Sequence, residues 1–157
     1  MEHLITVHYG ELALKGQNRG QFEKILTDNI KSSLKNEKHS KIERKQLRIL
    51  IHLSEDSDRK SIIERLKKVF GIKWFSYAIS CKPEIEEIKT RVLENAAAHR
   101  GKTVKVVTKR SDKSFSLNSM EISKQIGQSL FDSGFKINVK KPDGRIEEIG
   151  NVNLKVL

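Results

Sequence analysis

The feature that most constrains the fold is a change of apolar period, repeated twice in the first eighty residues. Leu4 to Val7 forms a short apolar run suited to a strand, and Phe22, Ile25, Leu26, Ile30 and Leu34 then fall at helical spacing. Ile42 and the run from Leu47 to Leu53 predict two strands around a polar turn at Lys45 and Gln46. A second helix follows, with Ser57 or Asp58 as its cap, Ile62, Ile63, Leu66, Val69 and Phe70 as its buried face, and Gly71 as its stop. Ile72 to Ser80 completes the series as a strand.

That order, β-α-β-β-α-β, predicts an α+β fold of the ferredoxin-like kind, a split β-α-β sandwich. Two helices cover one face of an antiparallel sheet there, and the other face is left to solvent or to a partner. The remainder reads as a second α/β unit. Pro83 is expected in the first turn of a helix, where its missing N–H costs little, with Glu84, Glu86 and Glu87 at the positive end of the dipole. Ile85, Ile88, Val92 and Ala96 form the inner face of that helix, and Gly101 ends it. Val104 to Thr108 is the next strand, and Asn118 with Glu121 predicts a capping box for a helix whose core face is Ile122, Ile126 and Leu130. Gly134 closes that helix, Phe135 to Val139 reads as a strand, and residues 140–144 as a turn. The tail, 144–157, is atypical, and either Arg145 to Ile149 or Val152 to Val156 is available as a last strand. The expected domains are 1–80 and 81–157, joined by a short hinge near residues 81–83 without a Gly/Ser-rich or Pro-rich linker.

Charge narrows the function classes. Thirty-one Lys plus Arg against twenty Asp plus Glu give a formal net charge of +11, which favours polyanionic partners, nucleic acid first. The excess is uneven: residues 81–101 hold four cations and four anions, whereas residues 102–145 hold ten cations and four anions, net +6. Cys81 is the only cysteine, which excludes an internal disulfide, a Cys-x-x-Cys redox pair and a cysteine-rich zinc site. His3, His8, His39, His52 and His99 show no metal-ligand spacing, so neither a metal nor another cofactor is expected. No apolar run approaches the ~20 residues that span a bilayer, and the N-terminus lacks the pattern of a signal peptide. A cytoplasmic protein with no membrane partner is the expectation.

The cations with the most pointed placement are Lys109, Arg110 and Lys113, between a strand and the N-terminus of a helix, whose unbonded amides also attract anions. Phe115 and Leu117, just beyond, are expected to fold back into the core. Lys140 and Lys141 end the last clear strand, and Lys15 and Arg19 precede the first helix, with Gly10 and Gly16 allowing close backbone approach. These seven cations are the candidate RNA-binding residues. Tyr9 and Glu11 are expected to be a packed ring and a carboxylate near the helix rather than base contacts.

The segment Lys109-Arg110-Ser111-Asp112-Lys113-Ser114-Phe115-Ser116-Leu117-Asn118-Ser119-Met120-Glu121-Ile122, followed by Lys140-Lys141-Pro142-Asp143, resembles a THUMP domain, an RNA-binding module of tRNA-modifying enzymes. Tyr9-Gly10-Glu11-Leu12-Ala13-Leu14-Lys15-Gly16-Gln17-Asn18-Arg19 resembles the opening of the tRNA 4-thiouridine synthetases, tRNA sulfurtransferases also linked to thiamine biosynthesis. In that family a ferredoxin-like domain precedes the THUMP domain, and the resemblance runs over residues 4–143. It implies that the pair grips the acceptor stem and unpaired 3′ end of tRNA for a catalytic domain in cis or in trans. Nothing in these 157 residues resembles the Ser-Gly-Gly-x-Asp-Ser pyrophosphate loop of the family's catalytic domain, and no catalytic residue is assigned. Rival readings are a stand-alone adaptor presenting tRNA to a separate enzyme, and a small phosphate-handling enzyme using the loop from Gly10 to Arg19. A third is a dimerisation domain, a homodimer pairing through its open sheet face.

Overall fold

The computed structural model describes residues 2–10, 18–45, 48–97, 100–109, 115–140, 144–149 and 153–156, with backbone alone for 109, 144–149 and 153–156. The described chain forms two compact units, His3–Ser76 and a second made of Met1–Glu2 with Tyr77–Leu157.

The first unit contains β1 (Glu2–Tyr9), α1 (Arg19–Ser33), β2 (Lys41–Lys45), β3 (Arg48–His52), α2 (Arg59–Leu66) and the start of β4 (Ile72–Ser80), in the sheet order β2-β3-β1-β4. β1 and β2 both run antiparallel to β3, with Ile5 opposite Ile51, Val7 opposite Ile49 and Ile42 opposite Ile51. Because side chains alternate across a strand, Ile5, Val7, Tyr9, Ile49 and Ile51 share one face. Tyr9 bonds to Glu23 of α1 and lies near its Phe22, so this is the helix-covered face. Leu26 and Ile30 from α1, Leu34 at its C-cap, and Ile62 and Leu66 from α2 complete the core. The opposite face carries polar pairs that nothing in the sequence pattern announces. Thr6 and Ser76 hydroxyls bond at 2.7 Å, the His8 ring stacks on Trp74 at 3.5 Å, and the buried His52 ring meets Glu43 at 3.1 Å.

Asp58, rather than Ser57, caps α2, accepting from the amides of Lys60 and Ser61. Since α2 stops at Leu66, the chain leaves the helical period before Val69 and Phe70, and Phe70 is 93% exposed instead of buried. Gly71 then adopts φ +96°, and a Cβ there would lie 3.3 Å from the Phe22 ring, so the position demands glycine twice over.

The second unit adds α3 (Ile85–Ala96), β5 (Thr103–Lys109), α4 (Ser119–Asp132), β6 (Lys136–Ile137), β7 (Gly144–Ile149) and β8 (Asn153–Val156), in the sheet order β8-β7-β5-β6. β5 runs parallel to both β6 and β7, whereas β7 and β8 are antiparallel, and Ser80 opposes Asn153. Both tail segments thus become strands, so the two readings of residues 144–157 were not exclusive. Ile88, Val92, Ala96, Val104, Ile122, Ile126, Leu130 and Phe135 form the core, against which Phe115, Leu117 and Cys81 pack. Pro83 stands outside the first turn of α3, since Glu84 is the N-cap and the helix begins at Ile85. Of the expected strand 135–139, Lys136 and Ile137 form β6 beside β5, and the Asn138 amide still donates to Val104 O at 3.0 Å. Phe135 instead donates its amide to Leu130 O at 3.0 Å as the chain leaves α4 through Gly134, at φ +86°.

Candidate nucleic-acid interface

In the first unit, β1 delivers Tyr9 to the base of α1, and Asn18 precedes Arg19, the first residue of that helix. Glu23, one turn on, lies between them. Its Oε1 accepts the Tyr9 hydroxyl at 2.7 Å and the Arg19 Nε–H at 2.8 Å. The hydrogen bond from Arg19, aided by that from Tyr9 and opposed by burial, holds the Glu23 carboxyl below the usual range. Burial, with the bond to Glu23, pushes Tyr9 up to about 12. Arg44, exposed on β2, adds its field to Glu23. Tyr9 is a packed ring, as its place in the pattern predicts. Glu11 lies outside the described residues.

In the second unit, the register of the parallel β5–β6 pair sets the cations apart. β6 pairs with Thr103 and Val104 at the start of β5, and Lys140 lies three residues past it, whereas Lys109 stands at the far end of β5. α4 starts beside that far end: the Ser123 hydroxyl donates to Thr108 Oγ1 at 2.7 Å. Its N-terminus is closed by the full capping box, with Asn118 accepting from the amides of Met120 and Glu121 and Glu121 accepting from the Asn118 amide. Lys140 is exposed, and its amide donates to Asn138 Oδ1 at 3.0 Å. Of Lys109 the backbone alone is described, and Lys15, Arg110, Lys113 and Lys141 lie outside the described residues.

Three features escaped the sequence pattern. Glu23 reads as an ordinary exposed helix position, and only its spacing of four from Arg19 hints at a pair. The His8–Trp74 stack joins strands distant in sequence and leaves no local signal. A cavity of about 540 Å³ is lined by Val106, Met120, Phe131, Ile137 and Val139 together with Lys105 and Lys124. Met120, 81% exposed, lies off the Ile122–Ile126–Leu130 stripe, the one sign of this cavity. Among the described residues no group of three His, Cys, Asp or Glu side chains is placed to hold a metal.

Comparison with known proteins matches residues 4–76 to the ThiI ferredoxin-like domain and residues 82–147 to the THUMP domain. A probable tRNA sulfurtransferase of Thermoanaerobacter pseudethanolicus is 42% identical over 145 residues, covering 91% of this chain and 38% of that protein. One from Staphylococcus epidermidis is 38% identical over 149 residues, covering 93% of this chain and 36% of its own length. The chain therefore spans well under half of the curated relatives it matches. Among solved structures, a 4-thiouridine synthetase in complex with RNA and ATP superposes with TM-score 0.83 at 26% identity, over all of this chain and 41% of that one. PH1313 from Pyrococcus horikoshii gives TM-score 0.84, also at 26% identity, over all of this chain and 54% of that one. TrmN from Thermus thermophilus, 12% identical with TM-score 0.65, shares the fold. The two matched domains account for both structural units, and the chain belongs to the families they define: it is a ThiI ferredoxin-like domain followed by a THUMP domain.

Proposed function

We propose that this chain is the tRNA-binding region of a tRNA 4-thiouridine synthetase-like protein, gripping the acceptor stem and the unpaired 3′ end for uridine thiolation. The chemistry falls to a catalytic domain outside these 157 residues, in cis or in trans. The observation that carries this reading is the capped start of α4 beside the end of β5, where Ser123 bonds Thr108; Lys109 follows Thr108 there, and Lys140 is exposed beyond β6. Arg110, Lys113 and Lys141, neighbours in sequence, join them in neutralising phosphates, and Lys15 and Arg19 extend the track in the first unit. A similar solved structure is a 4-thiouridine synthetase bound to RNA, which supports the class of ligand. Affinity from phosphates alone is indifferent to sequence, so selectivity rests on shape and on unpaired nucleotides. We place the domain limits at 1–80 and 81–157, β4 ending at Ser80. Similarity to tRNA sulfurtransferases supports work in the cytoplasm. Among the described residues no helix is long and apolar enough to cross a membrane.

The test is binding to a tRNA acceptor minihelix, with and without its unpaired 3′ end, across a salt series and beside a non-tRNA duplex. Tighter binding to the intact end is expected. Equal binding to all three nucleic acids would reduce the basic surface to a nonspecific polyanion attractor.

A further inference from the structure

We propose that Tyr9 and Glu23 are positioning residues for an RNA phosphate contact made by Arg19, gripping the guanidinium by its Nε so that its two terminal nitrogens face one phosphate as a fork. This rests on the tRNA-binding reading and adds to it the residues that aim the contact.

The arrangement is a relay from the core outward. Tyr9 is buried on β1 with its ring 6.0 Å from that of Phe22, and its hydroxyl fixes Glu23 Oε1, which in turn takes the Arg19 Nε–H. A guanidinium has five N–H donors. The Nε–H goes to Glu23 and the Tyr9 hydroxyl also lies within reach of the guanidinium, while 43% of the side chain stays exposed. An arginine held by one edge loses less freedom on meeting a phosphate than one swinging in solvent, and its remaining pair of nitrogens matches two phosphate oxygens.

Helix stability does not account for the pair. Arg19 is the first residue of α1, where a cation opposes the helix dipole, and the first turn carries no acidic residue. The order is also the weaker one, since a basic residue four positions before an acidic one stabilises a helix less than the reverse. A position chosen for stability would carry the acid first. Here the cation comes first, at the end of the helix to which an anion is drawn, with its carboxylate partner set 15% exposed behind it. Arg44, whose field also reaches Glu23, increases the attraction for an anion there.

The test is a double-mutant cycle on the full chain with the acceptor minihelix bearing its unpaired 3′ end, read as affinity across a salt series. Arg19→Ala is expected to lower the slope of log affinity against log salt by about one. Tyr9→Phe changes no charge, so it is expected to leave the slope unchanged and weaken binding between about twofold and tenfold, the cost of ordering a released side chain. In the Arg19→Ala background, Tyr9→Phe is expected to add nothing. An equal loss from Tyr9→Phe in both backgrounds would make its role merely structural and overturn the proposal. If circular dichroism shows Tyr9→Phe unfolded, Glu23→Gln replaces it, read likewise as the difference between backgrounds. Wild-type binding with an unchanged slope in Arg19→Ala sinks this inference alone, whereas failure of the wild-type chain to bind the minihelix sinks the tRNA reading and this inference with it.

Discussion

Arg19 in the first unit and Lys140 in the second are both cations held out near the end of a sheet strand, yet the chain supports them by different means. Arg19 is gripped through Glu23 and Tyr9 back into the core. Lys140 is held through its amide, which donates to the Asn138 side-chain oxygen, and its ammonium sits at the end of a flexible four-carbon stem. The same contrast runs through the units. In the first, antiparallel strands bring polar side chains such as Thr6 and Ser76 into buried pairs; in the second, parallel strands around an apolar core set the direction in which segments leave the sheet. A fixed fork suits one phosphate at a defined angle, whereas a mobile point charge suits a phosphate path that varies.

Each unit is most sensitive at its core. Ile30→Ala and Ile126→Ala each empty a fully buried site, and each is expected to cost about 2–5 kcal/mol in urea unfolding. Amide exchange should place the lost protection in the unit that carries the substitution; loss spread equally over both would mean that they unfold as one. Next come the glycines. Gly71→Ala and Gly134→Ala both force a left-handed backbone, at about 1–2 kcal/mol each. Gly71 should cost more, because its new methyl meets the Phe22 ring at 3.3 Å while nothing lies within 4 Å at Gly134.

A smaller effect separates the anchored cation by pH. Tyr9, raised to about 12, binds its proton more tightly folded than unfolded, so its stabilisation is complete below the ordinary tyrosine value near 10. It is lost as pH rises from there through about 12, with Glu23 as the anion facing the phenolate and Arg19 and Arg44 as nearby cations. Urea midpoints of wild type and Tyr9→Phe should converge over that window; a constant difference would refute the assignment. The smallest expected effects are conservative swaps. Arg19→Lys should keep the salt slope yet weaken minihelix binding several-fold, whereas Lys140→Arg should change neither, since an ammonium cannot replace a fork but a guanidinium can replace a point charge.

Much of this was legible in residue order because the signals are local. A capping box needs only Asn118 and Glu121, three residues apart, and the structure contains both of its hydrogen bonds. Phe70 misled because apolar spacing continued past the point where α2 ended, and the end was set by a turn at Lys67 to Gly71 rather than by the pattern. The tail offered two candidate strands without deciding between them: β7 has short, charged sequence and lies beside β5, a neighbour distant in the chain. Of the seven candidate cations, Arg19 and Lys140 have described side chains, and nothing in the sequence linked Arg19 to Tyr9 through Glu23.

Residue order by itself determined the succession of helices and strands, the glycine stop at Gly134 and the net basic character, since each depends on neighbours within a turn or on composition. In contrast, α2 and α3 end at Leu66 and Ala96, short of the expected stops at Gly71 and Gly101. The tertiary structure alone decided that β7 and β8 both join the sheet, that β5 ends beside the start of α4, and that Arg19 and a buried tyrosine share the Glu23 carboxylate. Those outcomes depend on which strands pair and in which direction, and pairing is settled by burial between distant segments, which no local spacing records.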